Sequence, residues 1–363
     1  MSVDQLVDWL KPQVSRLLEP NLFDGRDANL ISVRSSVPSC YVGSQSMGDR
    51  FRIALPYAEN VLWWDVIFHC TNPDLCPDLV TTDDDFLPVL FRRPWCSKDM
   101  DSLRLLILDW LEQFRQYQFE RVQRLEELQN HMTALETAGL ADQLQAYILQ
   151  EGDGTVVILC LKLELEDVKK YQSDKKPKAP YWDLVILEIK FDIDITGNLK
   201  AQSRLHCDSE LETLLGGRQA TRVNNFSPMQ EITEYIEDTV KDIQKKIIAK
   251  LSNVDKRSSF LNLVKAHFAQ RVTFSNENSL QIMVEEMGFH CVLTISVGEA
   301  FVDKHSVNIK LQPFEIDQSA KTREMKRAIR LVDSVPNATQ EDMLQSLISQ
   351  IEGHVRHFKQ ECA

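Results

Sequence analysis

The sequence predicts an α+β protein made of tandem antiparallel meanders, each packed by helices. Two observations carry this. Between residues 49 and 88, two strand-like runs joined by a turn give way to a proline-rich segment that leads toward a long amphipathic stretch. The order helix, meander, closing helix then occurs three times at a spacing of about 115 residues, too long for a solenoid repeat and suited to domain triplication. Three domains are expected, at 1–138, 139–252 and 253–363.

Apolar positions Val3, Leu6, Val7, Leu10, Val14, Leu17 and Leu18 are spaced for one helix face, with a break or kink at Pro12. Asn29 to Val33 reads as a first strand, and a Ser/Gly-rich loop runs from Ser35 to Gly48. Phe51–Pro56 and Val61–His69 are the hairpin strands, joined by the turn-like Tyr57-Ala58-Glu59-Asn60. In the second run Trp64, Val66 and Phe68 share one face, and Asp65, Ile67 and His69 the other. Asn72-Pro73-x-x-x-Pro77 removes two backbone donors, so the sheet should stop there and the chain leave in an extended crossing.

A helix capped by Asp99 or Asp101 carries the stripe Leu103, Leu106, Ile107, Trp110, Phe114 and Tyr117. Continuation through Val122, Leu125, Leu128, Met132 and Leu135 to Gly139 would be too long for one small domain, so a break is expected. Gln143–Gln150 and Thr155–Leu165 form a hairpin about Gly152-Asp153-Gly154. A Lys/Pro loop, Lys169 to Pro180, precedes a strand from Tyr181 to Phe191; Gly197-Asn198 turns into Leu199–Leu205, and Gly216-Gly217 stops a short helix. Ser227-Pro228 opens a helix striped by Ile232, Tyr235, Ile236, Val240, Ile243, Ile247 and Leu251. A further helix holds Phe260, Leu263, Val264 and Phe268; strands follow at 271–274, 280–285, 289–297 and 307–311, with a turn at Glu286-Met287-Gly288. A basic helix near Lys321–Leu331 and a last helix from Thr339 or Gln340 to Phe358 complete the chain.

Composition narrows the function classes. The 363 residues are 43% hydrophobic and 26% charged, the profile of a soluble globular protein of two or three domains. A net charge of −13 argues against a general nucleic-acid binder, which must neutralise phosphates with Lys and Arg. Met1-Ser2-Val3-Asp4 carries an acid where a secretory leader carries base, and the longest apolar run, Val156–Leu161, is strand-sized; a cytoplasmic and nuclear protein is expected. The eight cysteines contain no Cys-x-x-Cys and read as small buried hydrophobes in a reducing compartment.

A strand hairpin, a Pro-x-x-x-Pro crossing and a long helix are together similar to the ubiquitin-conjugating (UEV/RWD) fold. Phe51, Leu55-Pro56-Tyr57, Trp64-Asp65-Val66-Ile67-Phe68, Pro73-Asp74-Leu75, Pro77 and Phe86-Leu87-Pro88 resemble the first ubiquitin-E2-variant domain of the BRE family. The middle and last copies lack the Pro-x-x-x-Pro crossing. The resemblance implies a non-catalytic scaffold without cofactor or metal, in a BRISC/ARISC-type deubiquitinase assembly that cleaves lysine-sixty-three-linked polyubiquitin in the DNA damage response. It implies as partners a JAMM-type zinc deubiquitinase subunit, an Abraxas-like MPN⁻ pseudoenzyme and a MERIT40-like adaptor held by the last domain, with ubiquitin contact as a further implication.

The residues themselves offer little chemistry. A conjugating enzyme needs a nucleophilic cysteine behind a His-Pro-Asn turn, yet Pro77 to Asp101 contains no His and no Asn, only Cys96. There is no His-x-His or His-Glu-x-x-His for zinc; His354, His357 and Cys362 make an incomplete set. No phosphate-cradling glycine loop or serine-hydrolase elbow occurs. The basic stretch Lys169–Lys178 reads first as a solvated connection and second as a contact for an acidic partner. In the last helix Leu344, Leu347, Ile348 and Ile351 read first as core and second as a partner-binding stripe. Two alternatives stand beside the scaffold: a conjugating-enzyme variant that pairs with an active E2, and a generic RWD adaptor.

Overall fold

A computed structural model describes residues 3–19, 28–34, 41–42, 45–46, 48–69, 72–89, 95–152, 154–175, 185–217, 219, 221–276, 278–298, 301, 306–314, 324–331 and 339–362. It divides into two compact units, Met1–Gln244 and Lys245–Ala363. All of its multi-stranded sheets are antiparallel, which with the packed helices makes the protein α+β.

The first sheet has the order β1-β4-β5-β6, where β1 is Asn29–Arg34, β4 Arg50–Tyr57, β5 Asn60–Ile67 and β6 Asp78–Val80. A separate ribbon, β2 (Tyr41–Val42) with β3 (Gln45–Ser46), lies between β1 and β4 in sequence. The rest of the expected 35–48 loop falls largely outside the described residues. Alternation in β5 holds: Trp64, Val66 and Phe68 are buried, whereas Asp65 faces Arg50 and Arg52 across the strand pair. The two prolines do not end the sheet. Pro77 is buried, and the next three residues return as β6, with Val80 opposite Asp65. Proline lacks an N–H but leaves the residues after it free to pair, so the segment turns instead of crossing.

The expected N-terminal helix is a 3-10 turn, Val3–Gln5, followed by α1, Lys11–Leu17. Pro12 stands in the first turn of α1, where its missing N–H would have had no helical partner. The long amphipathic stretch breaks as expected, into α2 (Ser102–Gln123) and α3 (Gln129–Thr137). Asp101 occupies the N-cap position of α2 without capping it; its carboxylate instead accepts from Arg16 Nε at 2.9 Å.

The second sheet is β10-β9-β8-β7, with β7 Leu144–Glu151, β8 Gly154–Lys162, β9 Val185–Ile193 and β10 Leu199–Cys207. The near-continuous apolar run in β8 is explained by cover on both faces. Val157 and Leu159 lie on the face where Phe191 of β9 stacks on His131 of α3 and meets Phe226 edge-on. Cys160 and Ile186, from the opposite face, belong to the same core as Phe51, Trp64, Trp110 and Phe114. The first and second sheets therefore share one core within the first unit.

The expected Lys/Pro loop is helical through α4, Glu166–Lys175; 176–184 lie outside the described residues. Two acids in the first turn of α4 favour the positive end of its dipole. Helix α5, Ser209–Leu215, is capped by Asp208, which accepts from Leu211 N–H at 2.7 Å, and ends on Gly216 at φ 103°, a left-handed position suited to glycine. The two helices expected on either side of residue 252 are one, α6, Ile232–His267.

The second unit carries the third sheet, β11-β12-β13-β14-β15: Val272–Ser275, Ser279–Glu286, Phe289–Ser296, Ser306–Pro313 and Met325–Arg330. Met287 (φ 47°) and Gly288 (φ 74°) make the β12–β13 turn. The basic helix expected near 321–331 is strand β15 where it is described. Met325 and Ile329 are buried four apart, a spacing that mimics a helix face; pairing with β14 decides the outcome. The closing helix α7, Gln340–Cys362, starts at one of the two expected positions.

Candidate functional site

The most densely organised polar region joins the first sheet to the second. Hairpin β4–β5 turns through Ala58 (φ 44°) and Glu59 (φ 56°), two left-handed positions with no glycine to relieve them. Outside bonds hold this turn. Tyr57 Oη donates to Ala146 O at 3.0 Å, Ala58 N–H donates to Gln145 Oε1 at 2.7 Å, and Glu59 lies 3.4 Å from His206 Nδ1. His206 Nε2 in turn is 2.8 Å from Glu188. Burial pushes the Tyr57 phenol far up, so it stays a neutral donor.

Strand β7 is an edge strand, and its outward groups would be open to another chain. Tyr57 takes the Ala146 carbonyl, and Gln118 of α2 accepts from Ile148 N–H at 3.3 Å. Arg115 donates to Ala141 O at 2.6 Å just before the strand. Gln118 is fully buried, and its other end donates to Asp83 Oδ2 at 3.1 Å. Asp83 also accepts from Tyr117 Oη at 3.0 Å and Arg121 at 2.8 Å, so one carboxylate ties the loop after β6 to α2. Asp83→Ala is expected to cost about 2 kcal/mol, because three donors lose their acceptor in a half-buried setting. Chemical denaturation with hydrogen exchange at Ile148 checks it; unchanged exchange there would exclude the relay from Asp83 through Gln118 to β7.

Two carboxylates in this region are held below the usual range. The hydrogen bond from His206 is the main cause for Glu188, with burial opposing it. For Asp65 it is the Arg52 pair, at 2.9 and 2.7 Å, again opposed by burial. A depressed folded-state value means that the contribution is complete above the ordinary carboxylate value and lost as pH falls through the depressed one. The first unit should therefore lose stability on acidification below about pH 4.5, and Glu188→Gln should flatten that slope in a melting series from pH 6 to 3.

The residues singled out in sequence sort by burial. Phe51, Tyr57, Trp64, Phe68 and Phe86 are core, Asp65 and Pro77 are buried, and Pro56, Pro73 and Pro88 are half-buried. Most of these residues thus shape the first unit's interior. Leu344, Leu347 and Ile351 are buried in the second unit's own core, and Ile348 packs against it. The stripe of α7 packs into its own unit's core, the first of its two readings. Cys96 is exposed, in a turn fixed on both sides. Its N–H donates to Ser102 Oγ at 3.0 Å, Trp95 Nε1 donates to Pro73 O at 2.8 Å, and Ser97 Oγ donates to Asp74 at 2.6 Å.

The sequence holds three adjacent His-Cys pairs, His69-Cys70, His206-Cys207 and His290-Cys291, of which Cys70 lies outside the described residues. His206 is engaged by two carboxylates, and burial pushes the Cys207 and Cys291 thiols up to about 11. His357 pairs with Glu361 at 3.0 Å. Among the described residues no three His, Cys, Asp or Glu side chains converge as a metal site would need, and no helix is long and apolar enough to cross a membrane. Sequence reading missed the Tyr57–Gln118–Asp83 system. An isolated acid, glutamine or tyrosine carries no periodic signal, and only the unusual Ala-Glu in a tight turn hinted that something external holds it.

Fold and site together define a multi-sheet antiparallel α+β protein whose ordered polar groups serve architecture. The family model described as "Brain and reproductive organ-expressed protein (BRE)" matches residues 4–313. The chain belongs to the BRE family. It is 25% identical over 236 residues to "BRISC and BRCA1-A complex member 2" of Danio rerio, an alignment spanning 62% of this chain and 60% of that protein. It is 24% identical over 283 residues to the protein of the same name from Branchiostoma floridae, covering 74% and 73% respectively.

Proposed function

We propose that this chain is a non-catalytic scaffold subunit of a BRISC/BRCA1-A-type assembly. Its membership of the BRE family, whose relatives carry that assembly in their names, is the observation that carries the reading. On this reading each sheet with its helices is a UEV/RWD-like module, three in tandem, at 1–138, 139–252 and 253–363. The partners are a JAMM-type zinc deubiquitinase, an Abraxas-like pseudoenzyme and a MERIT40-like adaptor, and the substrate of the whole is lysine-sixty-three-linked polyubiquitin. The protein works in cytoplasm and nucleus, contributing shape and contacts while another subunit supplies the chemistry.

The turn around Cys96 supports the absence of conjugating activity. A thioester nucleophile needs a lowered thiol pKa and a donor for the oxyanion. Here the neighbouring backbone is committed to Ser102, and the flanking side chains to Pro73 and Asp74. Affinity purification of the full-length protein with mass spectrometry should recover a JAMM-type deubiquitinase in stoichiometric amount. Recovery of an active E2 instead would overturn the reading in favour of a conjugating-enzyme variant. In parallel, the chain charged with E1, ATP and ubiquitin should form no reductant-sensitive adduct, and Cys96→Ser should change nothing. A thioester lost in that variant would end the scaffold proposal.

A further inference from the structure

Arg257 lies in α6 one turn before Phe260 and Leu261, both buried in the second unit's core. Its Nε is closed off from solvent and donates to no acceptor. A guanidinium stays charged at any pH a folded protein meets, so this donor cannot be neutralised to relieve the penalty. The same side chain lines an open cavity of about 720 Å³ at one end of the third sheet.

The rest of the described lining is uncharged and mostly polar, with Val297 and Gly298 beside the amides and hydroxyls. Ser279 pairs across strands with Ser296, and Ser296 with Asn308, so the three form a row over β12, β13 and β14. Asn278 adds a carboxamide from the β11–β12 turn. The turn itself is fixed by Asn276, whose Oδ1 accepts from Asn278 N–H at 3.0 Å, Ser279 N–H at 2.7 Å and Ser279 Oγ at 2.9 Å. No acidic side chain stands among the described lining residues, in a protein whose net charge is −13.

A fixed cation with an orphaned donor, lined mostly by neutral amides and hydroxyls and with no acid among the described lining residues, is the environment of an oxyanion. The donors come from a helix, a turn and two strands, several directions at once, which suits a tetrahedral group better than a planar carboxylate. We infer that the cavity at the end of the third sheet binds a phosphate-class oxyanion through Arg257, with Ser296, Asn278 and Asn308 completing the cradle. The volume exceeds that of a bare ion and leaves room for an organic group bearing the phosphate.

The test uses the full-length protein at constant ionic strength, with inorganic phosphate and phenyl phosphate as probes and benzoate for comparison. Phosphorus NMR line broadening and calorimetry should show saturable binding of the phosphates and at least tenfold weaker binding of benzoate. Tighter phenyl phosphate would identify an organic ligand, and equal binding the free ion; both support the site. Arg257→Gln should weaken phosphate at least tenfold without lowering the melting temperature measured in chloride, since the Arg257 Nε donates to no acceptor within the protein. Asn308→Asp, at an exposed position, places a carboxylate in the lining and should weaken phosphate by a similar factor. Unsaturable binding, or binding unchanged in both variants, overturns the inference. So does a large loss of melting temperature in Arg257→Gln with binding intact in Asn308→Asp, which would make the arginine structural.

Discussion

Trp64→Ala should open the first sheet while leaving the third protected. Trp64 is fully buried and meets Phe114 edge-on at 6.1 Å, in a core that also takes in Phe51, Tyr57, Ile107 and Trp110. Removing an indole from such a site costs about 3–5 kcal/mol, the lost transfer energy plus the cavity left behind. The two units have separate core clusters, so one global unfolding free energy would describe the variant poorly. Hydrogen exchange by mass spectrometry resolves it: protection should fall across β4, β5 and α2 and persist across β12–β14. Equal loss in all three sheets would show that the units unfold as one.

Leu347→Ala should be the corresponding lesion in the second unit. Leu347 is fully buried between α7 and its sheet, with Leu344 and Ile351 a turn away on either side. A cost of about 2–5 kcal/mol is expected, with protection lost first in β12–β14. Ile348, half-buried at the margin, should cost distinctly less on truncation to alanine. The comparison separates the two readings of the α7 stripe. A Leu347→Ala protein that kept its stability but lost a binding partner would restore the partner-binding one.

Periodicity made most of the elements legible. β5 alternates, and Met287-Gly288 supplies a left-handed turn between two such runs, so β5 and the β12–β13 hairpin were readable from single stretches. The failures share a cause. Met325 and Ile329 repeat at a spacing that fits a helix or a strand buried at alternate second positions, and the deciding factor was the free edge of β14. Pro73 and Pro77 announced a break, but what followed depended on whether β5 still had an unpaired side to offer Asp78–Val80. The α7 stripe was visible, yet its partner, the inner face of the third sheet, was not.

By itself the sequence determined that this is an α+β chain, where most of its strands turn, and that the segment from Pro77 to Asp101 lacks the His and Asn a conjugating site requires. Those follow from local preferences and from residue identity, which act within a few positions of the chain. Only the tertiary structure decided that the first hairpin seals the edge of the second sheet, that Asp83 is the anchor of that seam, and that Arg257 lines a cavity with no acid among its described lining residues. Tyr57 and its acceptor are 89 residues apart. A bond across that separation is chosen by how two already formed surfaces meet, and no local pattern records the choice.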